Sequence, residues 1–272
     1  MLPIKKIYID SRFKSSDSAS HSDFKIDLPI SFLMPEDTGF YIDDVCIPHT
    51  WYPIDARNNL VAFQYNGANL FAYVTPGNYS TASLGLAIAS AMNEQMATII
   101  STATERFEST FDIKTNKLTI GFITGVNNRS KFEIYTDEQL RTIRPSLFWL
   151  GKTMNTLLKN TTSQGFSEMD FVSGYVDMYP LRNIYMTASG LGNFNTMSVA
   201  GDRNIVKKIP VTAEHGSVIF DQTVTGMDYL DCSRQTLSRL GFALRDVYGT
   251  VIDLNENHIS FSIVFSRVQD GS

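Results

Sequence analysis

Apolar and polar residues alternate over short stretches through much of the chain, and this pattern predicts β-strands. In "DFKIDLPI" (23–30), apolar residues occupy every second position from Phe24 to Leu28. A period of two is typical of a strand that buries one face and exposes the other.

A second strand-like stretch, "GFYIDDVCIPHTWYPI" (39–54), contains two apolar pairs separated by Asp43 and Asp44. Because strict alternation slips at these aspartates, we predict a β-bulge or a kink there. Pro48 cannot donate a backbone hydrogen bond and should end the strand. Side chains of neighbouring strand residues point to opposite faces, so a salt bridge or a turn explains Asp43 and Asp44 better than a shared chemical role.

Helical spacing replaces the β pattern in the middle of the chain. Apolar residues recur at intervals of three and four from Leu84 to Ile99, and Ser80 or Thr81 can cap the start of this helix. The spacing predicts one amphipathic helix of several turns.

A shorter helix is predicted from Thr136, which forms a capping box with Gln139 and is limited by Pro145. Between the two helices, "FDIKTNKLTIGF" (111–122) alternates around a polar turn and predicts a hairpin. We therefore expect residues 65–150 to form an inserted α+β subdomain.

Short Val-, Ile- and aromatic-rich stretches, each followed by turn residues, resume towards the C-terminus. They are "LRNIYMTAS" (181–189), "KKIPVTA" (207–213), "SVIFDQTV" (217–224), "LGFALRDVYG" (240–249) and "HISFSIVF" (258–265). About nine or ten short strands without βαβ alternation indicate a sandwich or barrel rather than a parallel sheet. The predicted fold is mainly β: a single jelly-roll β-sandwich, formed by residues 1–64 and 151–272, with the inserted α+β subdomain between them.

The stretch 242–265 consists of two apolar strands that flank a polar loop, and we interpret it as a hairpin. Arg245 and Asp246 lie beside the turn. An arginine paired with a carboxylate fixes geometry, and no base or nucleophile accompanies this pair. A structural role, pinning the turn or bridging to a neighbouring strand, is therefore favoured over catalysis.

Composition narrows the range of functions. The chain has 272 residues, is 43% hydrophobic and carries a net charge of −5, so a strongly basic nucleic-acid binder is disfavoured. The N-terminal sequence has no apolar signal region, and no apolar run approaches the roughly 18 residues of a membrane span. We expect a soluble protein without membrane insertion. Cys46 and Cys232 are expected to be free thiols or, as an alternative, one bridge.

No motif for catalysis or cofactor binding emerges from the sequence. The four histidines are scattered without metal-ligand spacing, and there is no nucleophile elbow and no phosphate-binding glycine loop. We predict no catalytic residue, no cofactor and no metal. A glycoside hydrolase that uses distant carboxylates stays open as an alternative.

Several stretches, taken together and in order, resemble the penton, or minor capsid, proteins of Polinton/Maverick elements, virophages and Polinton-like viruses. The resemblance implies a jelly-roll capsid protein that forms homopentamers at the fivefold vertices of an icosahedral double-stranded DNA virus. It implies major capsid protein capsomers as partners, a host receptor as a further candidate partner, a location in the virion and no catalytic residue. The matching stretches are "IYIDSRF" (7–13), "YIDDVCIPHTWYPI" (41–54), "VTPGNYS" (74–80), "KKIPV" (207–211) and "LRDVYGTVIDL…HISFSIVF" (244–265).

A five-membered ring uses two different patches on each subunit, and such patches are enriched in aromatics and arginine. Candidate structural or subunit-contact residues are Arg12, Asp43, Asp44, His49, Trp51, Tyr52, Arg245 and Asp246. Trp51 and Tyr52 could equally be core residues. The alternative function is a glycan- or receptor-binding jelly-roll module used in host attachment.

Overall fold

The chain divides into two compact units. Residues 1–51 together with 181–272 form the first, and residues 52–180 form the second. The computed structural model describes residues 3–99, 105–123, 130–147, 153–192, 196–197, 199, 201, 204–225 and 228–267.

The described residues form strands and helices that are labelled here in chain order. The strands are β1 (Pro3–Asp10), β2 (Asp23–Leu33), β3 (Thr38–Pro48), β4 (Leu60–Tyr65), β5 (Ala68–Tyr73), β6 (Phe107–Asp112), β7 (Lys117–Phe122), β8 (Phe132–Ile134), β9 (Phe171–Val172), β10 (Asn183–Ser189), β11 (Ile205–Pro210), β12 (Val218–Asp221), β13 (Leu230–Asp231), β14 (Thr236–Arg245) and β15 (Ser260–Arg267). The α-helices are α1 (Thr81–Ala97), α2 (Asp137–Ile143) and α3 (Met154–Leu158).

The first unit is a jelly roll. One sheet has the order β1-β15-β3-β12, with β13 also paired to β3, and we call it the first sheet. The second sheet has the order β11-β10-β14-β2. All pairings are antiparallel. Consecutive strands alternate between the sheets except for β10 and β11, which pair in the second sheet, and β12 and β13, which both pair with β3. This is the eight-strand jelly-roll arrangement with one additional short strand. The predicted fold class, a jelly roll with an α+β insertion, is confirmed.

The two sheets of the jelly roll bury one shared apolar core. Phe24 of β2, Phe242 of β14 and Phe261 of β15 are each almost completely buried. The ring centroids of Phe242 and Phe261, which belong to opposite sheets, lie 4.8 Å apart in an edge-to-face arrangement. Such aromatic pairs add to the stability gained from burial alone, so they hold the two sheets face to face.

The hairpin predicted for residues 242–265 is wrong. β14 pairs with β10 and β2, whereas β15 pairs with β1 and β3. The chain crosses from one sheet to the other after Arg245. Both strands direct an aromatic face into the same core, and alternation alone cannot tell two strands of one sheet from two strands that face each other.

The described residues of the second unit form two three-stranded antiparallel sheets, with the orders β5-β4-β8 and β6-β7-β9, and three α-helices. Helix α1 begins with a capping box between Ser80 and Ser83 and buries Leu84, Ile88 and Met92. The predicted hairpin of 111–122 is confirmed as β6 and β7. Helix α2 begins at the predicted Thr136–Gln139 capping box.

The second unit is longer at both ends than the predicted insertion of residues 65–150. Strands β4 and β5 form a hairpin around Asn66–Gly67, so a boundary after residue 64 falls inside this hairpin. At the other end, β9 pairs with β7 and therefore belongs to the same unit.

Candidate subunit-contact surface

Arg12 lies just beyond β1, in a single 3-10 turn formed by Ser11–Phe13. Its guanidinium donates to the Asp10 carboxylate, with Nη2 and Oδ2 2.6 Å apart, and its backbone N–H donates to the same side chain at 2.9 Å. Hydrogen bonding from Arg12 lowers the pKa of Asp10. The Arg12 side chain itself is mostly exposed, so the pair shapes the end of β1 while leaving the cation at the surface.

Ser11 fixes this turn to the first sheet. It is completely buried. Its backbone N–H donates to the carbonyl of Ile259 at 3.0 Å, and its hydroxyl accepts from the Ile259 N–H at 3.0 Å. The N-terminal segment is therefore tied to the start of β15.

Asp43 and Asp44 form the predicted bulge in β3. Phe261 lies opposite Val45 and Ile263 lies opposite Ile42, so two steps along β15 match three steps along β3. The bulge prediction is confirmed, and an extra residue of this kind re-aims the neighbouring side chains.

The two aspartates of the bulge have different environments. Asp43 accepts from the Lys6 ammonium at 2.6 Å, which links β3 to β1 across the intervening β15. One carboxylate oxygen of Asp44 is buried and has no hydrogen-bond partner in the part of the chain that the structure describes. The bulge thus holds one carboxylate that is paired with Lys6 and one that has a buried oxygen without a described partner.

His49 and Trp51 are buried beside each other at the end of the first segment of the jelly roll. Their rings stack with centroids 4.1 Å apart and an interplanar angle of 25°. The His49 Nδ1–H donates to the carbonyl of Ala213 at 2.7 Å. Burial lowers the pKa of His49, and the nearby His215 acts in the same direction. Trp51 belongs to the jelly-roll core, whereas Tyr52 begins the second unit and is 43% exposed.

Arg245 and Asp246 shape the loop that leaves β14. The Arg245 guanidinium donates to the carbonyl of Gly249 at 2.8 Å. The buried Asp246 carboxylate accepts from the backbone N–H groups of Tyr248 and Thr250, each at 2.9 Å. Both side chains therefore fix the same turn through backbone hydrogen bonds.

The first sheet also exposes apolar side chains that the sequence analysis did not select. Tyr8 on β1 is 77% exposed, Phe220 on β12 is 55% exposed, and Phe13 and Val218 are also mainly exposed. The signal in the sequence was present: Tyr8 occupies the solvent-facing position between Ile7 and Ile9, where a polar residue is normally expected. Single exposed apolar side chains are common on protein surfaces, so these positions are only candidates for contact with a partner.

Among the residues that the structure describes, no group of three or more histidine, cysteine, aspartate or glutamate side chains is placed to hold a metal ion. Cys46 and Cys232 are free thiols, and burial raises the pKa of Cys232 to about 12. No helix in the described ranges is long and apolar enough to span a membrane.

An open groove of about 420 Å³ lies beside α2 in the second unit. Its lining includes the hydroxyls of Thr136, Thr142, Thr161 and Ser163, and none of its described lining residues is aromatic. Ligand pockets generally combine an apolar or aromatic lining with a few polar groups, so this groove lacks the features of a built small-molecule site.

Neither the protein-family models nor the curated protein sequences contain a match to this chain. The crystal structure of the selenomethionine-labelled mavirus penton protein is similar, with a TM-score of 0.54. Sequence identity is 9%, and the likeness covers 97% of this chain and 100% of that one. The chain is therefore similar in fold to the mavirus penton protein.

Proposed function

We propose that this protein is a penton, or minor capsid, protein that forms homopentamers at the fivefold vertices of an icosahedral double-stranded DNA virus capsid. The single observation that carries the proposal is the fold likeness to the mavirus penton protein, which spans 97% of this chain and the whole of the other. The ordered series of short stretches that resemble penton proteins supports it independently.

The role is geometric rather than catalytic. A rigid jelly roll offers two different patches, and five copies related by rotation close a ring through them. Side chains that brace the unit are visible in the structure: the Lys6–Asp43 ion pair ties β1 to β3, and Asp246 fixes the loop after β14. The ring would fill the fivefold opening and contact the surrounding major capsid protein capsomers, with a host receptor as a further partner. The chain would be produced as a soluble protein in the host cell and would then reside in the virion.

Cryo-electron microscopy of assembled particles, together with native mass spectrometry of the purified chain, tests the proposal. We expect five copies around each vertex and a five-subunit species in solution. A chain that remains monomeric at every concentration and is missing from particles would contradict it.

A further inference from the structure

We propose that the contact between neighbouring copies joins the two opposite edges of the first sheet. The β1 edge of one copy docks on the edge formed by β12 and β13 of the next copy. This inference rests on the proposed function, because it names the surfaces through which the ring closes.

The arrangement of the first sheet suits a head-to-tail contact. In the order β1-β15-β3-β12, β1 forms one edge, while β12 and β13 both pair with β3 and form the other. Two different edges of one subunit make a heterologous contact, which closes into a ring when the rotation allows it. The four strands alternate in direction, so the two edges of adjacent copies would meet antiparallel.

Both edges carry exposed apolar side chains. On the β1 side these are Tyr8 and, in the following turn, Phe13; on the β12 side they are Val218 and Phe220. Tyr8 and Phe220 are on the outer face of the sheet, since their neighbours Ile9 and Ile219 are buried in the core. Burial of such aromatics in the centre of an interface supplies much of the affinity of a contact.

The two edges also have opposite charge. Residues 3–14 contain four basic side chains and one acidic side chain, whereas residues 209–233 contain four acidic side chains and no lysine or arginine. The basic residues are Lys5, Lys6, Arg12 and Lys14, the one acidic residue beside them is Asp10, and the acidic residues of the other edge are Glu214, Asp221, Asp228 and Asp231.

Some of these charges are paired within the subunit. The charges that are left without an ion pair are opposite in sign on the two edges. Lys6 pairs with Asp43, Arg12 with Asp10, and Asp221 with Lys207. The ammonium of Lys5 lies 3.9 Å from the centre of the Phe32 ring, and that of Lys14 lies 3.4 Å from the His21 Nε2.

Neither of these two lysines is paired with a carboxylate within the described residues. On the other edge, Glu214, Asp228 and Asp231 have no ion pair in the same ranges. Complementary potentials of this kind select partner and register.

Strand register places Lys5 and Leu230 in one row of the first sheet. Lys5 lies opposite Phe265, Phe265 opposite Phe40, and Phe40 opposite Leu230, so both belong to the face that carries the buried core. Asp231, the next residue, lies opposite Gly39 on the other face. At this end the two edges therefore match in the sign of their charge rather than through a direct Lys5–Asp231 pair.

Two opposite charges lie beyond the other end of the sheet. Asp10 lies opposite Ser260, Ser260 opposite Cys46, and Cys46 opposite Phe220. Beyond this row, Lys14 follows the end of β1 and Glu214 precedes the start of β12. Because β1 and β12 run antiparallel, both residues lie beyond the same end of the sheet.

The edges of the second sheet are less suited to the contact. On β2, Pro29 interrupts the hydrogen-bonding edge, and pairing with β14 is broken between Asp27 and Phe32. The opposite edge strand, β11, ends in Pro210 and is irregularly paired with β10. Prolines and bulges of this kind protect a sheet edge from pairing. By contrast, β1 pairs without a shift from Lys5 onward.

Charge exchange on the full-length chain tests the inference. Lys14→Glu and Glu214→Lys are made separately and together, and assembly is followed by native mass spectrometry over a concentration series. Each single reversal should raise the concentration needed for half-assembly by about tenfold or more, and the double variant should recover most of that loss. Lys208→Glu on β11 is the matched control and should assemble as the wild type does.

Unfolding temperatures measured for every variant guard against a folding defect. If the wild type forms a ring and every folded single variant assembles equally well, the edge contact is overturned while the penton proposal stays intact. A wild-type chain without any ring, in solution or in particles, would overturn both.

Discussion

The imidazole of His49 lies stacked on the indole of Trp51, with ring centroids 4.1 Å apart and both side chains buried in the jelly roll. The Nδ1–H of His49 donates to the Ala213 carbonyl. This arrangement favours the neutral ring, since burial lowers the pKa of His49. The stack therefore places the titratable His49 against Trp51, the core residue that immediately precedes the second unit in the chain.

We expect acid to weaken the jelly roll through His49. The folded state disfavours the charged imidazole, so its stabilising effect is complete above the unfolded pKa of about 6.5 and is lost as pH falls below that value. The free energy of unfolding should drop between about pH 7 and pH 5, before most carboxylates titrate. Urea unfolding at a series of pH values measures this slope.

His49→Gln is the matched variant for this pH effect, because its amide can still donate to Ala213 but does not titrate. Its unfolding free energy should vary less than that of the wild type over the same pH interval. Equal slopes in the two proteins would show that other groups cause the acid sensitivity.

The bulge in β3 shows what a sequence pattern can establish about this fold. Two aspartates inside an apolar strand break the period of two, and the register of β15 against β3 shows the extra residue at that point. The helix starts at Ser80 and Thr136 were equally predictable, because a capping box is a local signal whose partners are three residues apart.

The start of the second unit was missed although the sequence contains a strong signal. Asn66 and Gly67 both adopt positive φ, at 45° and 84°, as a tight two-residue hairpin turn requires. Asn-Gly between two apolar runs predicts such a hairpin, and using it would have kept β4 and β5 in one unit.

Other features depend on tertiary context that the sequence does not encode locally. Whether Trp51 belongs to the core or to a contact surface depended on how His49 and the segment around Ala213 pack against it, and those residues are distant in sequence. The sheet assignment of β14 and β15 likewise depends on long-range pairing with β10 and β1. The faces of the first sheet to which Lys5 and Asp231 belong likewise follow only from the strand register.

The loop after β14 should depend on the Asp246 carboxylate. Asp246→Ala removes the acceptor for the N–H groups of Tyr248 and Thr250, and the side chain is buried, so we expect a loss of about 1–3 kcal/mol in the free energy of unfolding. Asp246→Asn retains an acceptor oxygen and should lose less. Asp253→Ala is a matched control, since Asp253 accepts from the Asn255 N–H in a similar but exposed turn. A loss at Asp253 as large as that at Asp246 would contradict the argument from burial.

Gly85 should resist replacement even though it lies within helix α1. Alanine is the better helix former by about 1 kcal/mol, but a Cβ at this position would lie 2.7 Å from Cδ2 of Leu118 and would also overlap the Ser109 side chain. We expect Gly85→Ala to destabilise the second unit by about 1–3 kcal/mol because overpacking outweighs propensity. Ser90→Ala, on the exposed side of the same helix, should change stability by no more than about 0.5 kcal/mol. Thermal unfolding followed by circular dichroism compares the two, and a stabilising Gly85→Ala would show that the contact with β7 relaxes easily.

The ammonium of Lys207, carried by β11, lies 3.3 Å from the Asp221 carboxylate of β12, so this buried pair joins the second sheet to the first. The ammonium also donates to the carbonyls of Ile42 and Thr223. Burial acts to raise the pKa of Asp221, but hydrogen bonds from Thr223 and the charge of Lys207 outweigh it and lower that pKa.

Lys207→Met leaves the Asp221 charge buried without its partner and should cost about 3–5 kcal/mol of unfolding free energy. Adding Asp221→Asn removes that charge while retaining an acceptor for the Thr223 N–H, so the double variant should recover much of the loss. Chemical denaturation of the two single variants and the double variant at neutral pH gives the coupling energy. A double variant that is as unstable as the sum of the single variants would show that the two side chains act independently.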